Sequence, residues 1–275
     1  MAFYMQIYKL VYYYVKENMD WLNRIRRYRN AYENYISVMG GIYTKKEPLK
    51  CILKDGSVHV WSIHKAWQYT FFVSIINESN VIDYFDGKAE YLKLQYKDKG
   101  VVFYGADEMG DVGGIFYAEQ YKMLKPRNEI VIDIGASIAD SSIYFGLNDA
   151  KKVIGLESDI RAYNFALKNV NINNLTTIIA LINGGYGKVS EIYGGKTKIY
   201  SLETLLNEYG INSAVLKMDC DGCEYNLLNE KDNILRRFNR ILIEYHHGYK
   251  NLQKKLKKAG FLIKTFGSYL YAELM

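Results

Sequence analysis

Short apolar runs alternate with longer amphipathic segments along the second half of the chain. Seven such runs follow Pro126, with the sequences EIVIDIG, KKVIGLE, TTIIALIN, SAVLKMD, RILIEYH, FLIKTFG and YLYAELM. Runs of this length separated by helical segments are typical of parallel strands covered by helices on both faces. The last two runs are too close for a crossover helix, so we expect them to form a hairpin. Residues 111–275 are thus predicted to form a seven-stranded, mainly parallel sheet with an antiparallel terminal strand.

Residues 1–110 show a different pattern. Apolar side chains three and four positions apart predict one or two amphipathic helices before residue 39, ended by Gly40 and Gly41. A hairpin is predicted around Asp55-Gly56, and a second one around Lys97 to Gly100, with a helix between them. We therefore expect a separate N-terminal region of helices and small antiparallel β structure that contacts substrate or another subunit, which leaves a homo-oligomer open.

Charge and cysteine content set broad limits on function. Lys and Arg number 36 against 30 Asp and Glu, an excess that permits an acidic partner without requiring one. The apolar stretch at residues 1–15 is interrupted by Lys9 and is too short to span a bilayer. Three sparse cysteines are typical of a reducing compartment. These features predict a cytoplasmic protein without a membrane span.

A glycine-containing loop follows the first strand of the predicted sheet, in the stretch VIDIGASIADSSIYF. Asp133 ends that strand, and Glu157 ends the next strand, where an acid can accept both hydroxyls of a ribose. The pyrophosphate of a nicotinamide cofactor needs several glycines, and only Gly135 is present. The residues therefore favour a ribose-containing ligand without phosphate. S-adenosylmethionine fits, because it is cationic and Asp133 and Asp219 lie at neighbouring strand ends.

Four motifs occur in order along the chain: VIDIGASIADSSIYF, VIGLESDIRAYNFALKNVNINNL, LKMDCDGCEYNLL and ILIEYHHG. Together with GGIFYAEQYKML just upstream, they resemble class I S-adenosylmethionine-dependent methyltransferases, most of all the FkbM family, over residues 112–275. The chain departs from the family pattern at Ser137, Ala139, Ser158 and Asp221. Ala139 replaces a glycine, and we expect it to be sterically mild at a helix N-terminus.

The resemblance implies a Rossmann-like class I methyltransferase fold and O-methylation of a hydroxyl on a sugar, lipid or other small acceptor. The cofactor-binding residues that it implies are Asp133, Gly135, Ala136, Ser137, Asp140, Glu157, Ser158, Asn183 and Asp219. Methyl transfer to oxygen requires alignment and removal of a proton. The favoured candidates are the pair Asp219 and Glu244, with His246, and the further candidates at the same strand ends are Asp221, Glu224 and His247. Asp221 and Glu224 are explained equally well as helix caps.

Two other functions stay open. An RNA 2′-O-methyltransferase would use the arginines at 24 to 29 and the lysines at 250 to 258 along a phosphate backbone, although nucleic acid is not the favoured partner. A non-catalytic binding protein on the same fold is the third hypothesis.

Cys220 and Cys223 have the C-x-x-C spacing of a redox pair or half of a zinc site. The surrounding acids disfavour the thiolate that a redox pair needs. A zinc site would require His246 and His247, and adjacent histidines rarely converge on one ion. We therefore expect no metal and interpret the two cysteines as small apolar fillers.

Overall fold

The computed structural model describes residues 21–275 apart from 64, 68, 71–72, 74–80, 85–90, 107–109, 118 and 188–196. The chain divides into two compact units, Met1–Ala89 and Glu90–Met275. Within the described residues, every helix is too short or too polar to cross a bilayer.

The first unit contains helices α1 (21–31) and α2 (Tyr35–Tyr43) and strands β1 (Leu49–Ile52), β2 (Val58–Trp61) and β3 (Val81–Tyr84). Strands β1 and β2 pair antiparallel around Asp55-Gly56, which confirms the first predicted hairpin. The first part of the predicted N-terminal helices, residues 1–20, lies outside the described residues.

The helix stop predicted at Gly40 and Gly41 is wrong, because α2 continues through both glycines to Tyr43. Packing explains the glycine at position 41. A Cβ atom there would lie 2.3 Å from the Leu49 side chain, so the glycine lets the first strand approach the helix. The core of this unit contains Tyr28, Tyr32 and Trp61.

The second unit is built on a seven-stranded sheet in the order β13-β14-β12-β11-β6-β7-β8. Strand β14 is antiparallel to both of its neighbours, and the other pairs are parallel. This confirms the expected Rossmann-like class I methyltransferase fold and the terminal hairpin. The strands are β6 (Ile130–Ile134), β7 (Lys152–Glu157), β8 (Ile179–Asn183), β11 (Ala214–Met218), β12 (Phe238–Glu244), β13 (Phe261–Phe266) and β14 (Tyr269–Leu274).

The sequence did not reveal a short parallel pair, β9 (Gly185–Tyr186) with β10 (Ile199–Tyr200). The helices of this unit are α3 (Asp140–Leu147), α4 (Ile160–Ile172), α5 (Leu202–Glu208), α6 (Asp232–Leu235) and α7 (Lys250–Lys258). A π-turn spans Gly113–Tyr117, and 3₁₀ turns span Lys122–Leu124 and Cys223–Asn229. Local capping fixes helix starts: the Asp159 side chain accepts the first free backbone N–H groups of α4, and Ser201 does the same for α5.

The second predicted hairpin is confirmed as β4 (Tyr91–Tyr96) and β5 (Lys99–Tyr104). It belongs to the second unit, whereas we expected the N-terminal region to extend to residue 110. The side-chain amides of Asn169 on α4 and of Asn173, which directly follows α4, hydrogen bond with the backbone of Tyr104 and Val102 and hold the hairpin there.

The order in which the chain adds strands to the sheet reverses between β6 and β11. From β6 the chain continues outwards through β7 and β8, and β11 starts the other half, which continues through β12. In open α/β sheets, a crevice forms outside the carboxyl ends of the strands at this switch point, and ligands bind there.

Candidate active site

A cleft of about 1060 Å³ opens at this switch point, along the ends of β6, β7 and β11. Six acidic residues are among the described residues that line it: Asp111, Asp140, Glu157, Asp159, Asp219 and Asp221. Lys217 is the one Lys or Arg in the described lining. The cleft therefore favours a neutral or cationic ligand over an anion.

Gly135 joins the two halves of the sheet at the floor of the cleft. Its φ is +75°, and a Cβ atom there would lie 1.7 Å from the backbone oxygen of Asp219. Only glycine fits, because the end of β11 packs directly on the loop after β6. Its main role in the protein is thus to let two strand ends approach each other.

The backbone N–H groups of the glycine loop are engaged by the protein itself. Those of Gly135 and Ala136 donate to Leu156 O at 3.0 and 2.9 Å, and that of Ser137 donates to Glu157 Oε2 at 2.8 Å. A phosphate-binding loop needs such groups free to point at the ligand. The loop is therefore built to hold β6 against β7, and Ala136 is fully buried within it.

Glu157 links this loop to the next helix. Its Oε1 accepts the N–H of Asp159 at 2.6 Å, while Oε2 accepts that of Ser137. Burial raises the pKa of Glu157, and these backbone donors partly offset the effect. Each oxygen keeps a second lone pair, so the carboxylate can still accept hydroxyl groups from a ligand in the cleft.

Asp133 is fully buried and lies behind the cleft. Its carboxylate accepts hydrogen bonds from Ser141 Oγ and Ser142 Oγ at 2.7 and 2.6 Å, and Lys217 Nζ lies 3.1 Å from its Oδ1. Lys217 also donates to Gly135 O at 2.7 Å. This buried ion pair spans the neighbouring strands β6 and β11, where Asp133 and Lys217 are partners in register.

Asp140, which is buried, and Asp111, which is half-buried, lie next to each other in the cleft lining. The Asp111 backbone N–H donates to Asp140 Oδ2 at 2.7 Å. Burial, together with the charge of Asp111, raises the pKa of Asp140 to about 7. Burial raises the pKa of Asp111 to about 6, assisted by the charges of Asp219 and Glu244. A cation bound beside these two acids would favour their charged forms and lower both pKa values, so the pair is suited to binding a cation.

Asp219 follows β11 and lies in the cleft. Its Oδ2 accepts a hydrogen bond from the hydroxyl of Tyr121 at 3.1 Å. Burial and the charge of Asp219 raise the pKa of Tyr121 well above its ordinary value, so the phenol stays neutral.

Glu244 ends β12 and is not among the residues that line the cleft. Its two oxygens accept hydrogen bonds from Ser268 Oγ and Tyr269 OH, each at 3.0 Å. Burial and the charge of Asp219 raise its pKa.

His246 is clamped between two carboxylates beside the cleft. Its Nδ1 lies 3.0 Å from Glu224 Oε1, and its Nε2 lies 3.2 Å from Asp221 Oδ1. Burial alone lowers the pKa of His246, but the two carboxylates outweigh burial and raise it. Its neighbour His247 is the histidine that lines the cleft.

Two expected cofactor residues lie at the ends of neighbouring strands: Ser158 directly follows β7, and Asn183 is the last residue of β8. Ser158 lines the cleft, as do Ser137 and Glu157. The side chain of Asn183 instead donates to Glu157 O at 2.9 Å, and the cleft beside it is lined by Gly184 and Gly185.

Ala139 adopts a left-handed φ of +66° and is fully buried. Ala139 is not among the residues that line the cleft, although a Cβ atom is strained in this backbone conformation.

Cys220 and Cys223 form a disulfide in the wall of the cleft, where we expected two unlinked apolar side chains. The turn at Gly222, with a φ of +112°, brings the two residues together. Within the described part of the chain, no group of three or more His, Cys, Asp or Glu side chains is arranged to hold a metal ion.

The family model described as the methyltransferase FkbM domain matches residues 133–271, which is about half of the chain. The chain belongs to the FkbM methyltransferase family. The match covers the glycine loop, Glu157, Asp219 and Glu244, so the cleft of this FkbM methyltransferase lies mostly within the family domain.

One curated relative is uncharacterized protein 158B of Sulfolobus islandicus rod-shaped virus 1, which is 28% identical over 146 residues, or 53% of this chain and 78% of the relative. Among solved structures, the FkbM methyltransferase of Methylobacillus flagellatus KT is 17% identical over 53% of this chain and 43% of its own, with a TM-score of 0.42. TrmK of M. capricolum, solved with S-adenosyl-homocysteine, is 21% identical over 56% of this chain and 66% of its own, with a TM-score of 0.40.

Among the residues that line the cleft of this FkbM methyltransferase, Asp111 and Tyr121 had no role predicted from the sequence. Tyr121 lies in GGIFYAEQYKML, which the family resemblance had included without assigning it a role. Asp111 lies two residues before that stretch. His247 was one of the acid and base candidates and lines the cleft, whereas its neighbour His246 is not among the lining residues.

Proposed function

We propose that this FkbM methyltransferase transfers a methyl group from S-adenosylmethionine to a hydroxyl of a small acceptor such as a sugar or a lipid. Membership of the family is the observation that carries the proposal. The acidic cleft at the switch point supports it, because it offers carboxylates to a cationic cofactor and a polyhydroxyl acceptor.

The residues present fit this cofactor. Glu157 keeps acceptor capacity for the two ribose hydroxyls, and Asp140 and Asp219 lie where a cation would be stabilised. The engaged N–H groups of the glycine loop disfavour a pyrophosphate. When bound, S-adenosylmethionine supplies an electrophilic methyl group on a sulfonium.

The protein supplies alignment and a site for the hydroxyl proton. Asp219 is the best-placed acceptor of that proton, because it lies in the cleft with one oxygen fixed by Tyr121. Glu244 would tune Asp219 through its charge, and His246 would act through Asp221 and the loop at the cleft rim.

A nucleic-acid acceptor is disfavoured by the acids of the cleft, which would repel a phosphate backbone.

Calorimetric titration with S-adenosylmethionine and S-adenosylhomocysteine is the first test, and absence of binding by both would remove the proposal. The second test is S-adenosylhomocysteine formation over a panel of hydroxylated sugars and lipids, with a short RNA as comparison. The Asp219→Ala variant should lose transfer while its circular dichroism spectrum stays unchanged. Full activity in that variant would remove the role given to Asp219.

A further inference from the structure

Tyr121 is buried where the two halves of the sheet meet, with 2% of its surface exposed. Its ring centroid lies 5.9 Å from that of Phe145 and 5.3 Å from Lys217 Nζ. A neutral aromatic face held against a buried ammonium is a favourable cation–π arrangement. These contacts hold the ring and thereby fix the direction of its hydroxyl.

That hydroxyl donates to Asp219 Oδ2 at 3.1 Å. Within the described part of the chain, the Tyr121 hydroxyl is the hydrogen-bond partner of the Asp219 side chain. The backbone of Asp219 is fixed independently, because its N–H donates to Ile134 O at 3.1 Å and its carbonyl packs on Gly135. The side chain of Asp219 therefore depends on Tyr121 for its orientation.

We propose that Tyr121 is a positioning residue that holds the Asp219 carboxylate with one oxygen engaged and the other available to the sulfonium of the cofactor. The proposal rests on the proposed function. A carboxylate held by a buried donor stabilises a cation more than one that must be ordered on binding, because part of the entropy cost is met in advance.

The test compares two ligands that differ by one methyl group and one positive charge. S-adenosylmethionine carries the sulfonium, and S-adenosylhomocysteine has a neutral thioether in its place. Calorimetry should show that Tyr121→Phe weakens S-adenosylmethionine about tenfold, since a hydrogen bond to a charged group is lost, and changes S-adenosylhomocysteine less than about twofold. A merely structural role would weaken both ligands equally.

Tyr144→Phe is the matched control, because Tyr144 is a buried tyrosine outside the cleft lining and should keep both affinities. Asp219→Asn supplies a second comparison. The double variant, Tyr121→Phe with Asp219→Asn, should bind S-adenosylmethionine with the same affinity as Asp219→Asn alone. Equal losses for both ligands, additive effects in the double variant, or unchanged binding by Tyr121→Phe would each overturn the role of Tyr121. A wild type that binds neither ligand would instead remove the proposed function, and this role with it.

Discussion

Replacement of Gly135 by alanine tests whether the approach of β6 and β11 builds the cleft. The new Cβ atom would lie 1.7 Å from Asp219 O, and real Cβ contacts essentially never fall below 3.0 Å. The end of β11 must therefore retreat by at least about 1.3 Å. That movement carries the Asp219 side chain with it.

The cost has two parts. An L-residue in the left-handed region lowers stability by roughly 1–2 kcal/mol. The lower conformational entropy of alanine in the unfolded chain offsets up to about 1 kcal/mol of this loss. Overpacking of a well-packed interior adds about 1–3 kcal/mol. We expect Gly135→Ala to lower the free energy of unfolding by about 2–4 kcal/mol, which a typical domain with 5–15 kcal/mol of stability survives.

Gly210→Ala is the matched control, because Gly210 has a φ of +60° and nothing within 4 Å of the added Cβ. It should lose only the conformational part, about 1 kcal/mol, and keep its ligand affinity. Urea unfolding followed by circular dichroism measures both variants, and calorimetry with S-adenosylmethionine measures binding. If the two variants lose equal stability and both keep their affinity, the close approach at Gly135 does not shape the site.

Three further predictions concern the same unit. Ala139→Gly should raise the urea midpoint by a stabilisation of about 0.5–1 kcal/mol, because the strained Cβ is removed; a lower midpoint would contradict that strain. Affinity for S-adenosylmethionine should rise from about pH 5.5 to about pH 8, because Asp111 and Asp140, with pKa values of about 6 and about 7, lose protons that oppose a bound cation. Titrations in buffers of different ionisation enthalpy should show proton release, and a flat profile would exclude these acids from the site. The Cys220→Ser, Cys223→Ser double variant should bind S-adenosylmethionine within about twofold of wild type, because so short a disulfide loop constrains the chain little; a tenfold loss would show that the cross-link shapes the cleft.

The strands of the sheet were predictable because each is a short apolar run that a turn or a helical segment separates from the next run. The register between strands was not predictable, and it determines which residue lies opposite Asp133. Only the pairing of β6 with β11 reveals that Lys217 lies opposite Asp133 and turns an expected cleft residue into half of a buried ion pair. A lysine within a buried strand was the available signal, since such a residue needs a partner.

The histidine at the end of β12 shows a second limit. Strand β12 ends at Glu244, and His246 and His247 lie in the bend that follows it, so the alternation of side chains along a strand does not predict which of them reaches the cleft. The disulfide was missed for another reason. We weighed the C-x-x-C pair by the charges around it, whereas the turn at Gly222 determined the distance between the cysteines.

The two asparagines that hold the β4–β5 hairpin protect a sheet edge. Each amide donates to and accepts from one residue of β5, as a neighbouring strand would: Asn173 pairs with Val102, and Asn169 pairs with Tyr104. Four residues at the helical rise span about 6.0 Å, which nearly matches two residues of a strand, about 6.8 Å, so the end of a helix can present two such amides in step with the edge. An open edge is a template for aggregation. The two amides thus occupy backbone groups of β5 that another chain would need in order to add a strand there.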